Sequence, residues 1–209
     1  MLNEDFMAAL QKIKNNHPHV LGHKSFQTYS VLLPLIKKND NSLHIIFEKR
    51  AQHLRRQPGE ICFPGGRIEK EYEGSETAAI REACEELQIN KEEIKLIGPL
   101  DFLVPSSESI IYPYVGWVEK EFTEILPNRE EVDEIFTVPL SFLLNNKPKI
   151  HKIHFKIEPE DNFPFHLIPN GKNYNWRGRS IKEYFYCYED KVIWGMTARI
   201  LNEFLENFK

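Results

Sequence analysis

No two cysteines of this chain stand close enough in sequence to act together: Cys62, Cys84 and Cys187 are scattered, with no Cys-x-x-Cys. That argues against a disulfide framework and against a structural zinc site. Long apolar runs are missing too. None reaches the roughly 18 residues that a membrane span needs. Positive charge is not in excess, with 27 Lys and Arg against 31 Asp and Glu and a net charge of −4. A general grip on nucleic acid is therefore not expected. There is no internal repeat, low-complexity tract or Gly/Ser linker. With 41% hydrophobic residues, the 209 residues suit one domain over 1–209 with an added helix at either end. Leu2, Phe6, Leu10 and Ile13 recur at helical spacing among polar neighbours. They predict a packed amphipathic helix over 2–16, and not the continuous apolar stretch of a secretory signal. Lack of a signal and of paired cysteines points to the cytoplasm. His17, His19 and His23 cluster, as do His151 and His154, but no cysteine or acid stands beside them at ligand spacing.

What is present reads as alternating strands and helices. Tyr29–Ile36 and Leu43–Lys49 are β-rich and flank Lys-Lys-Asn-Asp-Asn-Ser, which predicts two paired strands around a turn. A helix is expected over Glu76–Gln88 with Ser75 as its N-cap. Further strands are expected over 94–104, 110–118, 133–138, 149–157 and 183–188, with Pro105-Ser106-Ser107 as a turn. A short helix is expected over 141–145. Ile200, Leu201, Phe204, Leu205 and Phe208 predict a closing helix over 196–208. This order suggests an α/β or α+β layered fold.

Chemistry concentrates between Phe63-Pro64-Gly65-Gly66 and Arg81-Glu82-Ala83-Cys84-Glu85-Glu86-Leu87. Glu82, Glu85 and Glu86 stand at i, i+3 and i+4, so their side chains leave a helix within an arc of roughly 60°. Like charges that close repel. An acidic run on a helix is most often a solvated face, but context argues otherwise here. The diglycine allows positive φ and brings backbone close to a ligand. Ala78, Ala79, Cys84 and Leu87 offer an apolar side for packing, so the glutamates face outward together. Arg81 is placed to hold Glu85. Oxygen-only ligands suit a hard divalent cation, Mg²⁺ or Mn²⁺.

The stretch from Gly66 to Ile89 resembles the box of the Nudix hydrolases: a glycine, an acidic residue, then Arg-Glu-aliphatic-x-Glu-Glu-x-Gly-aliphatic. Arg81, Glu82, Ala83, Glu85, Glu86, Leu87 and Ile89 fit it. Gln88 stands where a glycine is usual and Tyr72 where an acid is expected, and the spacing to Arg81 is one residue longer. Glu69, Glu71 and Glu73 are near enough to substitute. Upstream, Arg50-Ala51, Arg55, Gly59 and Phe63-Pro64-Gly65-Gly66 resemble the signature of the coenzyme A diphosphatase branch. Glu131-Val132 with Phe136 and Val138-Pro139-Leu140, and Trp194-Gly195-Met196-Thr197-Ala198, look like two further segments of that branch.

That resemblance implies an α/β/α sandwich with a curved mixed sheet and the box as a loop-helix-loop at its edge. It implies Mg²⁺- or Mn²⁺-dependent hydrolysis of the pyrophosphate of coenzyme A or an acyl-CoA, to 3′,5′-ADP and 4′-phosphopantetheine or its acyl derivative. Glu82, Glu85 and Glu86 and the Gly66 carbonyl are the expected metal ligands. Glu131 is an additional ligand or the general base, and an uncoordinated helix carboxylate is the other candidate base. Arg81 completes the catalytic group. Substrate contacts are expected from Arg50, Arg55, Gly59, Phe63 and Gly65, since arginine forks match phosphate oxygens. Lys49 and Arg56 add to the cations there. Trp194 and Met196 read as core, and Trp176-Arg177-Gly178-Arg179 as a surface turn. The implied partner is a small-molecule nucleotide, with no nucleic acid and no membrane, and a homodimer is left open. Other nucleoside diphosphate derivatives (ADP-ribose, NADH, dinucleoside polyphosphates) are the rival substrates, and a nucleotide-binding module without turnover is the rival class.

Overall fold

The computed structural model describes residues 4–16, 18–69, 73–106 and 109–209. Its centre is β1 (Gln27–Lys37), whose run Val-Leu-Leu-Pro-Leu-Ile is apolar on both faces. Alternation along β1 sends Leu33 and Leu35 into one core cluster and Leu32 and Ile36 into another. A strand covered on both sides reads as a continuous apolar run for that reason. β2 (Leu43–Arg50) pairs antiparallel with β1 through Leu35↔Ile45 and Ile36↔His44. The linking turn puts Asn41 at positive φ, and Asp40 accepts a 2.9 Å hydrogen bond from the Ser42 amide. These strands form as expected.

The main sheet runs β3 (Ile61–Cys62), β2, β1, β7 (Ser109–Val118), β5 (Ile94–Pro99). β4 (Gly65–Arg67) also pairs with β1, β6 (Leu103–Ser106) with β7, and β8 (Val132–Pro139) with β2. β1 and β7 are parallel and the other pairs antiparallel, so the sheet is mixed. The strand expected over 94–104 is two strands. The β5–β7 register shifts between Leu96 and Gly98, and pairing stops at Pro99. Pro105 and Ser106 belong to β6 and not to a turn, while Ser107 lies outside the described residues.

α2 (Ser75–Leu87) covers one face of the sheet with Ala79, Ala83 and Leu87 against Leu32, Ile36 and Ile46. α4 (Gly195–Glu206) covers the other with Ala198, Leu201, Phe204 and Leu205, joined by Leu140 and Leu143 of α3 (Leu140–Asn145). The fold is thus a mixed sheet between helical layers. Ser75 is not the N-cap of α2. Gly74 is, and the Ser75 hydroxyl meets the Tyr114 hydroxyl at 2.7 Å.

β10 (Arg179–Tyr188) pairs with β11 (Lys191–Ile193) and with β9 (Lys149–Phe155) in a separate three-stranded sheet. β10 begins four residues before its expected start because it pairs along the whole of β9. α1 (Glu4–Lys14) forms, but Phe6, Leu10 and Ile13 are exposed, contrary to the packed helix expected. The faces of the sheet that would have buried them are filled by α2 and α4. Leu2 lies outside the described residues. Among the described residues no helix is long and apolar enough to cross a membrane.

Candidate active site

The diglycine is not a turn. Gly65 and Gly66 are strand residues of β4, paired with Val31 and Ser30, and neither has positive φ. They are glycines because neighbours approach. A Cβ on Gly65 would lie 2.5 Å from the Ser30 carbonyl oxygen, and one on Gly66 2.3 Å from the Glu82 carboxyl carbon. The Gly65 amide donates to Glu86 Oε2 at 2.7 Å. Wholly buried Ser30 places its hydroxyl 2.6 Å from the Ser75 carbonyl and 3.0 Å from that of Tyr112. It joins the start of α2 to β1 and β7.

The three helix glutamates do not face outward together. Glu86 is 2% exposed, while the side chains of Glu82 and Glu85 are 12% and 56% exposed. Arg81 organises the outer two, donating to Glu82 at 2.9 Å and to Glu85 at 3.2 Å. It also donates to Glu73 at 2.9 and 3.3 Å and to the Arg67 carbonyl at 3.2 Å. The expected hold of Arg81 on Glu85 is present. Of the acids near the Tyr72 position, Glu73 binds Arg81, whereas Glu71 and Tyr72 lie outside the described residues.

A cleft of about 760 Å³ opens beside β4 and α2. Glu82, Glu86 and Glu131 line it together with Arg50, Arg56 and Arg67. Glu131 arrives on the loop before β8. Its carbonyl accepts from the Ala51 amide at 2.8 Å, and the Asn128 amide donates to the Glu86 carbonyl at 2.9 Å, tying that loop to the residue just after β2 and to α2. Gly65, Gly66 and Phe63 also line the cleft, Phe63 being stacked 5.0 Å from Phe47. Glu85, Arg55 and Gly59 are not among the lining residues, and Arg55 is exposed. Gly59 has φ of 70° and faces the Gln52 side chain, which fits a turn holding the loop. Trp194 was expected in the core. It is 43% exposed and lines the cleft with Met196, because Trp194 caps α4 in extended geometry with Gly195 at positive φ behind it. Trp176 packs edge-on with Phe163 and Tyr174 and does not reach the cleft.

The sequence reading missed Glu48. It ends the apolar run Ile45-Ile46-Phe47 of β2 and is 1% exposed. Burial, foremost, pushes its carboxyl up to about 7, with Glu131 and Glu82 adding to the rise and Cys62 and Arg50 opposing it. Glu86 is pushed well up by burial and then by Glu48, against the Gly65 amide. Glu82 is raised by burial, with Arg81 opposing. The only sequence signal for Glu48 was an acid inside a β-rich run.

Among the described residues no three His, Cys, Asp or Glu side chains stand ready clustered for a metal. Glu82 is turned to Arg81 and Glu86 to the Gly65 amide. The donor chemistry nevertheless fits a hard divalent cation. Its side-chain donors Glu82, Glu86 and Glu131 are carboxylates that repel one another, and close behind them a buried oxygen of Glu48 has no hydrogen-bond partner.

A family model described as NUDIX domain matches residues 28–160. The chain is 34% identical over 123 residues to peroxisomal coenzyme A diphosphatase NUDT7 of Mus musculus, covering 59% of this chain and 51% of that protein. It thus spans about half the length of the mouse relative. It is 27% identical over 211 residues to Nudix hydrolase 3 of Caenorhabditis elegans, covering 97% of this chain and 82% of that one. With the uncharacterized Nudix hydrolase NudL of Photorhabdus laumondii the identity is 30% over 174 residues, covering 83% and 81%. Among solved structures, a MutT/nudix family protein from Enterococcus faecalis matches with a TM-score of 0.51 at 14% identity, over 98% of this chain and 68% of that one. That last likeness is one of fold alone.

Proposed function

We propose, on the premise that the chain belongs to the NUDIX family, that it is a divalent-cation-dependent pyrophosphohydrolase splitting coenzyme A or an acyl-CoA. Family membership rests on the match over residues 28–160. The observation that carries the reading is the mixed lining of the cleft. Arg50 and Arg56 stand among its lining residues with Glu82, Glu86 and Glu131. A diphosphate needs both kinds of group, cations for its oxygens and carboxylates for a metal and a proton. The coenzyme A preference is supported by the sequence signature from Arg50 to Gly66 and by the name of the mouse relative. Residues 1–209 are taken as one such domain, placed in the cytoplasm and free to form a homodimer.

In this reading Glu82 and Glu86, with the Gly66 backbone, hold the Mg²⁺ or Mn²⁺. When bound, such a cation neutralises diphosphate charge and lowers the pKa of a water. The chain's own groups do the rest. Arg50 and Arg56 clamp phosphate oxygens, with exposed Arg55 beyond them for the 3′-phosphate. Glu131 takes the proton of the attacking water. The water oxygen bonds to one phosphorus, the bridging P–O bond breaks, and the bridging oxygen leaves on the other phosphate. Arg81 is a positioning residue that fixes Glu82 and Glu85. Glu85, exposed and outside the lining, is an outer carboxylate held by Arg81.

Coenzyme A, 3′-dephospho-coenzyme A and ADP-ribose, assayed side by side with Mg²⁺ or Mn²⁺ and read by mass spectrometry, test this. Coenzyme A should give 3′,5′-ADP with kcat/KM at least about tenfold above the dephospho form, the size of one charge-assisted contact. Equal rates, or a preference for ADP-ribose, would remove the coenzyme A reading. No product from any of the three would also remove the coenzyme A reading, and no product from NADH and a dinucleoside polyphosphate added to the panel would remove the hydrolase reading as well.

A further inference from the structure

Glu48 is the buried acid for which the hydrolysis just described has no use. It lies on β2 directly opposite Cys62 of β3 in an antiparallel pair. Residues so paired project to the same face of a sheet, and Cys62 lines the cleft. On β2, Ile46 packs beneath α2 and Arg50 lines the cleft, so the face of Glu48 runs from the α2 core out to the site, with Glu48 itself buried behind Cys62 and not among the lining residues. The Cys62 thiol donates to Glu48 Oε1 at 3.2 Å. Oε2 is buried and has no hydrogen-bond partner. Among the described residues no Lys, Arg or His forms an ion pair with it. The charges that bear on it are the repelling carboxylates of Glu82, Glu86 and Glu131 and the attracting guanidinium of Arg50.

A purely structural role does not account for this. β2 and β3 are already held by their backbone ladder, and a thiol is a weak donor. A buried carboxylate with one oxygen unmet is costly unless a proton neutralises it or a cation meets it, and beside Glu82, Glu86 and Arg50 a cation can do so. We propose that Glu48 is a further cation-binding carboxylate of this cleft, presenting Oε2 beside Glu86 to the divalent ion. The inference rests on the metal-dependent reading and extends its ligand set beyond the helix to a strand on the other side of β4.

The test is titration of Mn²⁺ alone into metal-stripped wild type, Glu48→Gln and Glu48→Thr, read by calorimetry or by the paramagnetic resonance of free Mn²⁺. Circular dichroism and melting are followed in parallel. The expected result is a Kd weakened about tenfold or more in both variants, the size found when a metal site loses a supporting group. Their metal-free melting temperatures should equal or exceed that of wild type, since a buried charge has been removed. Folded variants with the wild-type Kd overturn the inference while leaving the hydrolase reading intact. Lowered melting with an unchanged Kd assigns Glu48 a structural role and overturns it equally. Absence of Mn²⁺ binding by wild type overturns both.

Discussion

Gly65 and Gly66 are neighbours of the same type, yet different contacts require each. A methyl group on Gly65 would press on the Ser30 carbonyl at 2.5 Å and on the Val31 backbone at 2.7 Å, and the central strand has no room to retreat. Gly65→Ala should therefore cost about 1–3 kcal/mol in urea denaturation. On Gly66 the methyl would meet the end of the Glu82 side chain, which can swing. Gly66→Ala should cost less than about 1 kcal/mol of stability and instead lower kcat, about tenfold or more, by displacing a carboxylate. Equal stability losses in the two variants would contradict this account. Both glycines were legible in the sequence as a motif, but the reason for them was not. Positive φ was the local explanation, and the actual one is crowding by residues 35 and 16 positions away.

The box helix illustrates the same division at the scale of an element. Of the apolar side expected, Ala78, Ala79 and Leu87 are buried and Cys84 is only partly so, while Ala83 is buried beside them. That periodicity also gathers Glu82, Glu85 and Glu86 on one arc, but it cannot tell which of them turns beneath β4. Glu86 does so because the Gly65 amide receives it. At the end of α2, Gln88 caps in the left-handed conformation, φ 52° and ψ 49°, where the family pattern has glycine. Its side chain offsets part of that strain by donating to the Glu85 carbonyl at 2.7 Å. Gln88→Gly should still stabilise by about 0.5–1 kcal/mol, raising Tm by roughly 1–4 °C in calorimetry. A fall in Tm would mean that the side-chain bond outweighs the strain.

For the molecule as a whole, the buried acids make stability depend on pH. Glu48 titrates near 7 in the fold against an ordinary 4.5, and Glu86 is raised well above its ordinary value. A carboxyl raised by folding contributes fully below its unfolded value, and that contribution is lost as pH rises through the folded one. Metal-free protein should therefore lose on the order of 2–3 kcal/mol between pH 5 and pH 8. Glu48→Gln should flatten that slope, and melting curves in chelator across this window check it. A flat wild-type profile would mean that the two carboxyls are not held apart from solvent charge.

Local pattern sufficed for the pairing of β1 with β2, the helical stretch of α2, the closing helix α4 and the acidic box. Each depends on residues a few positions apart, whose spacing is itself the physical cause. The split of the strand over 94–104, the exposure of Trp194 and of the α1 stripe, and the choice of Glu86 as the inward acid arose from packing between distant segments. So did the burial of Glu48 against Cys62, fourteen residues away and on another strand. No spacing rule reaches such contacts, because the chain folding back decides which side chains share a space and which lose their water.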